Sequence, residues 1–361
     1  MNGVGKAMSK FNKNTRVNII TVGAIVLVYI VCQLLISAGV ISNLLQGLLV
    51  PICYYSILAV SLNLTVGILG ELSLGHAGFM CIGAFLGAFF SNCMADKITN
   101  ALIRFTLAII VGAISAAIFG ALIGVVVLRL RGDYLAIVTL AFGEIIKNFI
   151  NVLYIGMDSR GLHFSMKDAA SLNLVENGKV IVNGAKGITG TPHNTTFTIA
   201  TLLLIITYLL IVNLIHSRSG RAIMAIRDNR IAAESVGIDI TKFKILAFTI
   251  SAALAGVAGV LYSHNISSLV ATPKNFGYNM SIMILVFVVL GGIGNIRGSI
   301  IAAMILTVLP EYLRFMKDYR MLIYAIVLIV MMIVNWNPTC IAFRKNHKLK
   351  NIFLKRAREE A

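Results

Sequence analysis

The sequence predicts an all-α integral membrane protein, a polytopic helical bundle of about eight to ten transmembrane helices. Residues 17–96 contain no Lys or Arg, although the whole chain has a formal charge of +17. This stretch holds three apolar runs of about twenty residues, the length that a helix needs to cross roughly 30 Å of hydrocarbon. In addition, 58% of the residues are hydrophobic and only 12% are charged, against about 25% charged in a typical soluble domain. Because Lys and Arg are costly in lipid, the charge pattern indicates a lipid bilayer as partner and no nucleic acid.

The chain is expected to have a basic cytoplasmic head (1–16), a transmembrane domain (17–337) and a basic cytoplasmic tail (338–361). The first apolar segment is too long for a cleaved signal peptide and lacks a convincing cleavage site, so it is interpreted as a retained span. Ten spans are predicted near residues 17–40, 45–66, 72–91, 104–128, 134–154, 196–215, 243–265, 279–294, 298–313 and 320–337.

The distribution of Lys and Arg predicts the orientation. These residues are concentrated in residues 216–244 and in the tail, whereas the segments expected on the opposite side hold few for their length. Loops on the cytoplasmic side carry the excess of Lys and Arg. We therefore expect both termini in the cytoplasm, an even number of spans, and an extracytoplasmic loop at residues 155–195.

Glycine interrupts two of the predicted spans. Residues 67–78 contain four glycines together with Glu71, Ser73 and His76, and residues 290–298 contain another four glycines. A helix break at membrane depth persists only where protein or a water-filled cavity satisfies the freed backbone groups. The first stretch is equally consistent with a break beside a permeation path and with a tight turn, whereas the second is interpreted as a turn.

Small residues recur every fourth position in three of the predicted spans. Such ridges let helix backbones approach closely in lipid. We expect close packing, either within the chain or against a partner, and a moving interface is the alternative. The ridges are Gly112, Ala116, Gly120 and Gly124; Ser251, Ala255 and Gly259; and Gly83 with Gly87.

The extracytoplasmic loop carries one local prediction. Residues 172–175 and 179–182 are β-prone and flank Asn177–Gly178. Asn-Gly between such runs favours a type I′ turn, because both central residues of that turn need positive φ. A β-hairpin is expected here, and it would either receive a soluble partner or cap the helix ends.

The sequence contains no pattern typical of catalysis or of metal binding. There is no GxxxxGK[ST] phosphate loop, no HExxH, no GxSxG, and no Cys or His spacing typical of a metal site. We expect no catalytic, cofactor-binding or metal-binding residue, and no enzyme activity. Only Glu71, His76, Glu144 and Lys147 are predicted to be buried and ionisable, with the last two paired at i, i+3. This scarcity argues against a proton-driven carrier.

The loop at residues 216–244 is too polar to span the membrane. Residues 221–227 are predicted to form one short helix, and Asn229 to cap a second that starts at Arg230. Two interpretations remain open at this point. The loop is either an amphipathic element at the lipid headgroups or a docking element for a partner.

Four blocks of the sequence resemble the LivM-type permease of bacterial branched-chain amino acid ABC importers. They are residues 72–85, 132–144, 220–239 and 290–298, in that order. The resemblance implies an ABC importer permease fold in the bacterial cell membrane and a heterodimer with a LivH-type permease. It further implies two cytoplasmic ATPases, which use ATP, and an extracytoplasmic substrate-binding protein. Residues 231–237 loosely match the EAA-x-x-x-G loop of such permeases, with Ile231 in place of the acidic residue.

Within this resemblance, the loop is expected to couple the ATPases to transport. Its coupling residues are Arg221, Ala225, Arg227, Asp228, Asn229, Ala232, Ala233, Glu234 and Gly237. The substrate path is expected to involve Asn63, Glu71, Ser73, Gly75, His76 and Phe79. In this hypothesis the chain forms, with a partner permease, the path for branched-chain or related amino acids. The alternatives are a self-sufficient carrier or channel, or an ABC permease for urea, sugars or nucleosides.

Overall fold

The computed structural model describes residues 2–39, 42–95, 97–127, 132–158, 160–174, 178–313 and 319–336. Within these ranges the chain is mainly α-helical. The helices are α1 Asn2–Ser37, α2 Asn43–Asn63, α3 His76–Cys93, α4 Ala101–Val127, α5 Asp133–Val152, α6 Phe197–His216, α7 Arg218–Asp228, α8 Arg230–Ser235, α9 Ile240–Ser263, α10 Pro273–Phe276, α11 Tyr278–Gly291, α12 Ile296–Tyr312 and α13 Arg320–Trp336. The chain divides into two compact units, Met1–Met304 and Ile305–Ala361. The second unit holds the end of α12 and all of α13.

A helix occupies each of the ten predicted spans, which confirms the helical bundle. Eight candidate membrane spans occur among the described residues. The helices at the last two predicted spans, α12 and α13, have 17 residues each, the lower limit for crossing a bilayer. The head 1–16 is not a separate element, because α1 runs without interruption from Asn2 into the first span. Orientation in the membrane stays a prediction.

The centre of the first unit is a close packing of α3, α4 and α9. The small-residue ridges meet there: the Cβ that an alanine would place at Gly83 lies 2.4 Å from the backbone of Gly256, and one at Gly259 lies 2.1 Å from the carbonyl oxygen of Met80. Only hydrogen at these positions lets the backbones approach so closely. The expected close packing is confirmed, and it occurs within the chain.

The two glycine-rich stretches have different structures. After α2 the chain continues as a π-helical segment, Leu64–Leu69, and then leaves helical geometry over residues 70–75 before α3 begins. The first stretch is therefore a helix break. The second is the turn that was expected: α11 ends at Gly291, and Gly292 and Gly294 adopt positive φ of 93° and 81° before α12 begins.

The loop at residues 155–195 contains a three-stranded antiparallel sheet in the order β2–β1–β3. Its strands are β1 Tyr154–Asp158, β2 Gly161–Ser165 and β3 Lys179–Asn183. A second sheet pairs β4 Ile188–Thr189 with β5 Ser268–Leu269. The long loop is thus folded onto the segment that follows α9.

The predicted hairpin is wrong in its first strand. Leu172 ends a 3-10 turn and Asn173 has φ 45°, so this segment does not extend, and β3 pairs with β1 instead. The physical reason is that the side chains of Leu172 and Leu174 cover the open position of Gly156 in β1. Packing of the buried Leu172 and the half-buried Leu174 against β1 outweighs their local β propensity. Residues 175–177, which include Asn177, lie outside the described part of the chain.

Candidate functional site

The break at residues 70–75 is fixed by side chains of two other helices. Gly70 ends the π-helical segment with a φ of 80°. The backbone N–H of Leu74 donates to Thr139 Oγ1 of α5 (3.0 Å), and that of Ala77 donates to Ser281 Oγ of α11 (3.1 Å). Gly75 is required here, because a Cβ would lie 2.3 Å from the carbonyl oxygen of Thr139. The start of α3 is therefore held between α5 and α11.

His76, the first residue of α3, is fully enclosed in the bundle. Its Nε2 hydrogen-bonds Ser61 Oγ of α2 at 2.7 Å. The carbonyl oxygen of Ser61 accepts a bond from Ser251 Oγ of α9 at 2.6 Å. His76 and Glu71 do not bond to each other; each has a different partner. The polar stretch thus connects α3 to α2 and α9.

Asn63 joins the π-helical segment to the turn between α11 and α12. Its Oδ1 accepts from the backbone N–H of Gly294 (2.8 Å), and its Nδ2 donates to Ser299 Oγ (2.8 Å). Gly67 makes this approach possible, since a Cβ there would lie 1.9 Å from Asn63 Oδ1. The two glycine-rich stretches are therefore in direct contact, which the sequence pattern did not predict.

The remaining predicted path residues are buried beside the break. Ser73 is 1% exposed and its Oγ has no hydrogen-bond partner among the described residues. Phe79 is 2% exposed and its ring packs against those of His76, Phe142 and Phe248. A buried hydroxyl without a partner is rare in proteins, and in a membrane protein it is a candidate contact for a polar solute.

Glu71 forms a buried ion pair with Lys244 of α9. The side chains are 17% and 5% exposed, respectively. Lys244 was expected among the cations of the loop at residues 216–244, and its pairing with Glu71 was not predicted. One feature of the sequence could have indicated a buried lysine: the residues that follow Lys244 in α9 are almost all apolar.

Replacing Lys244 with methionine is expected to destabilise the protein by about 3 kcal/mol, because the Glu71 carboxylate would remain buried without its partner. The double variant Glu71→Gln/Lys244→Met should recover most of this loss, since it leaves no uncompensated charge. Thermal unfolding of the detergent-solubilised protein measures both. A double variant as unstable as the single one would contradict this role of the pair.

The α7–α8 element confirms the local predictions for its helices. Asn229 Oδ1 caps α8 by accepting from the backbone N–H of Ala232 at 3.1 Å. At the other end, the N–H of Ile238 donates to the carbonyl of Ala233, and the N–H of Gly237 to that of Glu234. This is a Schellman motif, which needs a left-handed residue after the helix, and Gly237 supplies it with a φ of 82°.

Arg227 connects the α7–α8 element to the helix break. Its Nη1 donates to the carbonyl oxygen of Gly67 at 3.0 Å, and its other donors bond the carboxylate of Asp228. Its side chain also lies against Gly70, where a Cβ would come within 2.6 Å of Arg227 Cγ. The π-helical segment frees carbonyl groups at this point, and a guanidinium group satisfies one of them.

The other predicted coupling residues divide into a buried and an exposed set. Ala233 is 3% exposed and packs with Ile226 and Ile240 inside the element. In contrast, Ile231 and Val236 are 81% and 74% exposed. The exposed coupling residues are Arg221, Arg227, Asp228, Asn229, Ala232, Glu234 and Gly237, while Ala225 is half-buried. Ala233, one of the predicted coupling residues, therefore lies in the small core of the α7–α8 element.

A metal centre is not found in the part of the chain that the structure describes. In the described ranges no three His, Cys, Asp or Glu side chains gather at a place that could hold a metal ion. The site contains backbone groups at broken helices, neutral hydroxyls and the ion pairs of Glu71 with Lys244 and of Arg227 with Asp228. Broken helices of this kind are a common element of solute sites in membrane transporters.

Broken apolar helices around a polar centre, joined to a polar helical element beyond the spans, define a multi-spanning membrane permease. The chain belongs to the family described as "Branched-chain amino acid transport system / permease component", which matches residues 44–334.

Three relatives show the range of this similarity. The chain is 36% identical over 293 residues to the high-affinity branched-chain amino acid transport system permease protein LivM of Salmonella typhimurium, covering 79% of this chain and 66% of the relative. It is 35% identical over 308 residues to LivM of Escherichia coli, covering 82% and 70%. The fructose import permease protein FruG of Bifidobacterium longum is 26% identical over 311 residues, covering 84% and 86%. The chain thus spans about two thirds of the length of the LivM relatives. No solved structure matches the chain.

Proposed function

We propose that this chain is a permease subunit of an ABC importer for branched-chain amino acids in a bacterial cell membrane. In this proposal a LivH-type permease completes the path, two cytoplasmic ATPases use ATP, and an extracytoplasmic binding protein delivers the substrate. The chain itself contributes no ATPase site. Family membership and the LivM relatives support the class of substrate.

The observation that carries the proposal is the double connection between the α7–α8 element and the helix break. Arg227 reaches the carbonyl of Gly67, and Lys244, just after the element, pairs with Glu71. A rigid-body movement of α7–α8 would therefore act directly on residues 67–71. Closely packed elements transmit such shifts because they move between discrete arrangements and do not deform continuously.

The coupling role of the α7–α8 element is tested best at its exposed apolar residues. Ile231 and Val236 project from a segment outside the spans, and buried apolar anchors dominate the energy of protein interfaces. Ile231→Asp and Val236→Asp are each expected to lower ATP-driven uptake and ATPase co-purification at least tenfold. Met166→Asp is the matched control, because Met166 is 59% exposed in the loop at the other end of the spans. Unchanged co-purification in both variants would indicate an element that lies on the lipid surface.

The structure shows which substitutions within the α7–α8 element test coupling separately from folding. A bulky residue at Ala233 would disrupt the packing between α7, α8 and α9. It would therefore unfold the α7–α8 element as well as uncouple ATP hydrolysis from transport. At Gly237 a Cβ meets nothing within 4 Å, but the φ of 82° strains most residues other than Gly and Asn. Gly237→Asn tolerates this conformation and is expected to couple better than Gly237→Val, measured as amino acid transported per ATP hydrolysed.

We further propose that the break at residues 70–75, with Asn63, His76 and Phe79, borders the substrate path. A cysteine replacing Ser73 is expected to react with a small aqueous thiol reagent at a rate that changes with the nucleotide bound to the ATPases. Gly75→Cys does not serve this test, because its Cβ would collide with Thr139. The five native cysteines are replaced first. Absence of labelling at position 73 in every nucleotide state would exclude it from the path.

A sugar is the second candidate substrate, favoured by the similarity to FruG over most of both chains. Competition for uptake separates the two: leucine, isoleucine and valine are expected to compete with one another, and fructose and ribose to have no effect.

A further inference from the structure

The exposed side of α5 divides into an apolar edge and a polar edge. Ile145 and Phe149, one turn apart, are 63% and 48% exposed. On the neighbouring edge, Glu144 has a side chain that is 26% exposed, and Asn148, one turn further on, is exposed. Residues four apart on a helix lie above one another. Lipid accommodates the first edge, but carboxylates and amides inside a bilayer face protein or water.

The polar edge continues onto α11. The backbone N–H of Tyr278 donates to Glu144 Oε1 at 2.8 Å, and Asn151 Nδ2 donates to the carbonyl oxygen of Ala271 at 3.0 Å. These contacts align α11 with the polar edge of α5. Tyr278 is 48% exposed and Asn279 is exposed as well. We call Glu144, Asn148, Tyr278 and Asn279 the polar strip.

The strip lies near the centre of its span. Glu144 is eleven residues from the start of α5 and eight from its end, which corresponds to about 17 Å and about 12 Å. Because Tyr278 contacts Glu144, α11 begins at the depth of Glu144, inside the span Pro273–Gly291, which is interrupted at Gly277. A broken helix with its N-terminus at mid-membrane is a common element of solute sites in transporters.

The strip also adjoins the break before α3. The N–H of Ala77, in the first turn of α3, donates to Ser281 Oγ in the first turn of α11. Two helix N-termini therefore meet beside the middle of α5, and the hydroxyl of Ser73, three residues before α3, is buried without a hydrogen-bond partner among the described residues. The N-terminal dipoles favour negative charge, and Glu144, bound also by Lys147, supplies a negative group that a solute could contact.

We propose that the polar strip is a wall of the substrate path and that Glu144 contacts the α-ammonium group of a zwitterionic amino acid. The carboxylate of Glu144 accepts hydrogen bonds from that ammonium group, while the amides of Asn148 and Asn279 and the hydroxyl of Tyr278 donate to the substrate carboxylate. The neighbouring apolar edge, with Ile145, faces lipid. The inference rests on the proposed function, because it takes an amino acid as the solute.

Cysteine labelling of the assembled importer tests whether the polar strip lines the substrate path. Asn148→Cys and Asn279→Cys are made in a variant without the native cysteines, and Ile145→Cys, within one helical turn of position 148 on the apolar edge, is the control. A charged, membrane-impermeant thiol reagent is expected to label positions 148 and 279 at least tenfold faster than position 145. Leucine with excess binding protein is expected to slow the labelling. Rates equal to that of position 145 would place the strip in an interface between protein chains, and rates unaffected by leucine would place it in water away from the path; either result overturns the proposal.

Uptake kinetics test the role of Glu144. Glu144→Gln is expected to raise the KM for leucine by about tenfold or more, because a hydrogen bond to a charged group contributes at least the free energy of that factor. Glu144→Asp should retain part of the affinity. An unchanged KM in Glu144→Gln would overturn the assignment. Should Glu144→Gln not assemble, the labelling decides. Failure of the proposed function would appear separately, as absence of ATP-driven leucine uptake by the unmodified importer.

Discussion

Liposomes that contain this chain alone are expected to show no concentrative amino acid uptake, even with an imposed proton or sodium gradient. Accumulation needs a source of free energy, and a gradient shifts a two-state equilibrium only through differential binding of the ion to the two states. The two carboxylates discussed in the spans, Glu71 and Glu144, are each already paired with a lysine. We therefore expect neither carboxylate to couple an ion gradient to transport.

The measurement is uptake of labelled leucine, with the complete importer and ATP as the positive control. The expected difference is essentially all or none, because in the proposed importer the ATPases supply the free energy and the partner permease supplies the second wall of the path. Gradient-driven accumulation by the chain alone would overturn the ABC permease proposal in favour of a secondary carrier.

Gly83→Val is expected to prevent folding of the central helix packing. A Cβ at this position lies 2.4 Å from Cα and from the carbonyl oxygen of Gly256, and backbone atoms do not move aside as a flexible side chain does. Overpacking of this kind costs about 3 kcal/mol or more, and here it would separate α3 from α9 along their shared surface. The protein is then expected to be lost from the monodisperse fraction in size-exclusion chromatography.

Gly47→Val is the matched control for this prediction. Gly47 is also in the interior of a helix, α2, but a Cβ there meets nothing within 4 Å. Its substitution is expected to change the stability by less than about 1 kcal/mol, the range of helix propensities. A Gly83→Val protein with the thermal stability of the control would show that close approach of α3 and α9 does not stabilise the fold.

The sequence by itself determined the features that depend on neighbouring residues in the chain. Twenty-residue apolar runs specify helical spans, since a helix satisfies its backbone hydrogen bonds within the segment itself. Asn229 specified the start of α8, because its side chain caps the residues immediately after it. The glycines at 291–294 specified a turn for the same local reason: positive φ is strained for other residues. The hydrogen bonds and backbone preferences behind these features act between residues at most four apart, so the local sequence is sufficient to predict them.

Only the tertiary structure decided which distant groups satisfy each other. Lys244 with Glu71, Arg227 with Gly67, and Asn63 with Gly294 are all separated by more than 150 residues. Their pairing depends on which helices are adjacent, and no local propensity encodes that. The same holds for β3, which pairs with β1 because burial across the sheet outweighs the local turn signal. The polar edge of α5 likewise became visible only once α11 was placed beside it, since exposure is a property of the packed bundle and hydrogen bonds to a neighbouring helix depend on its position.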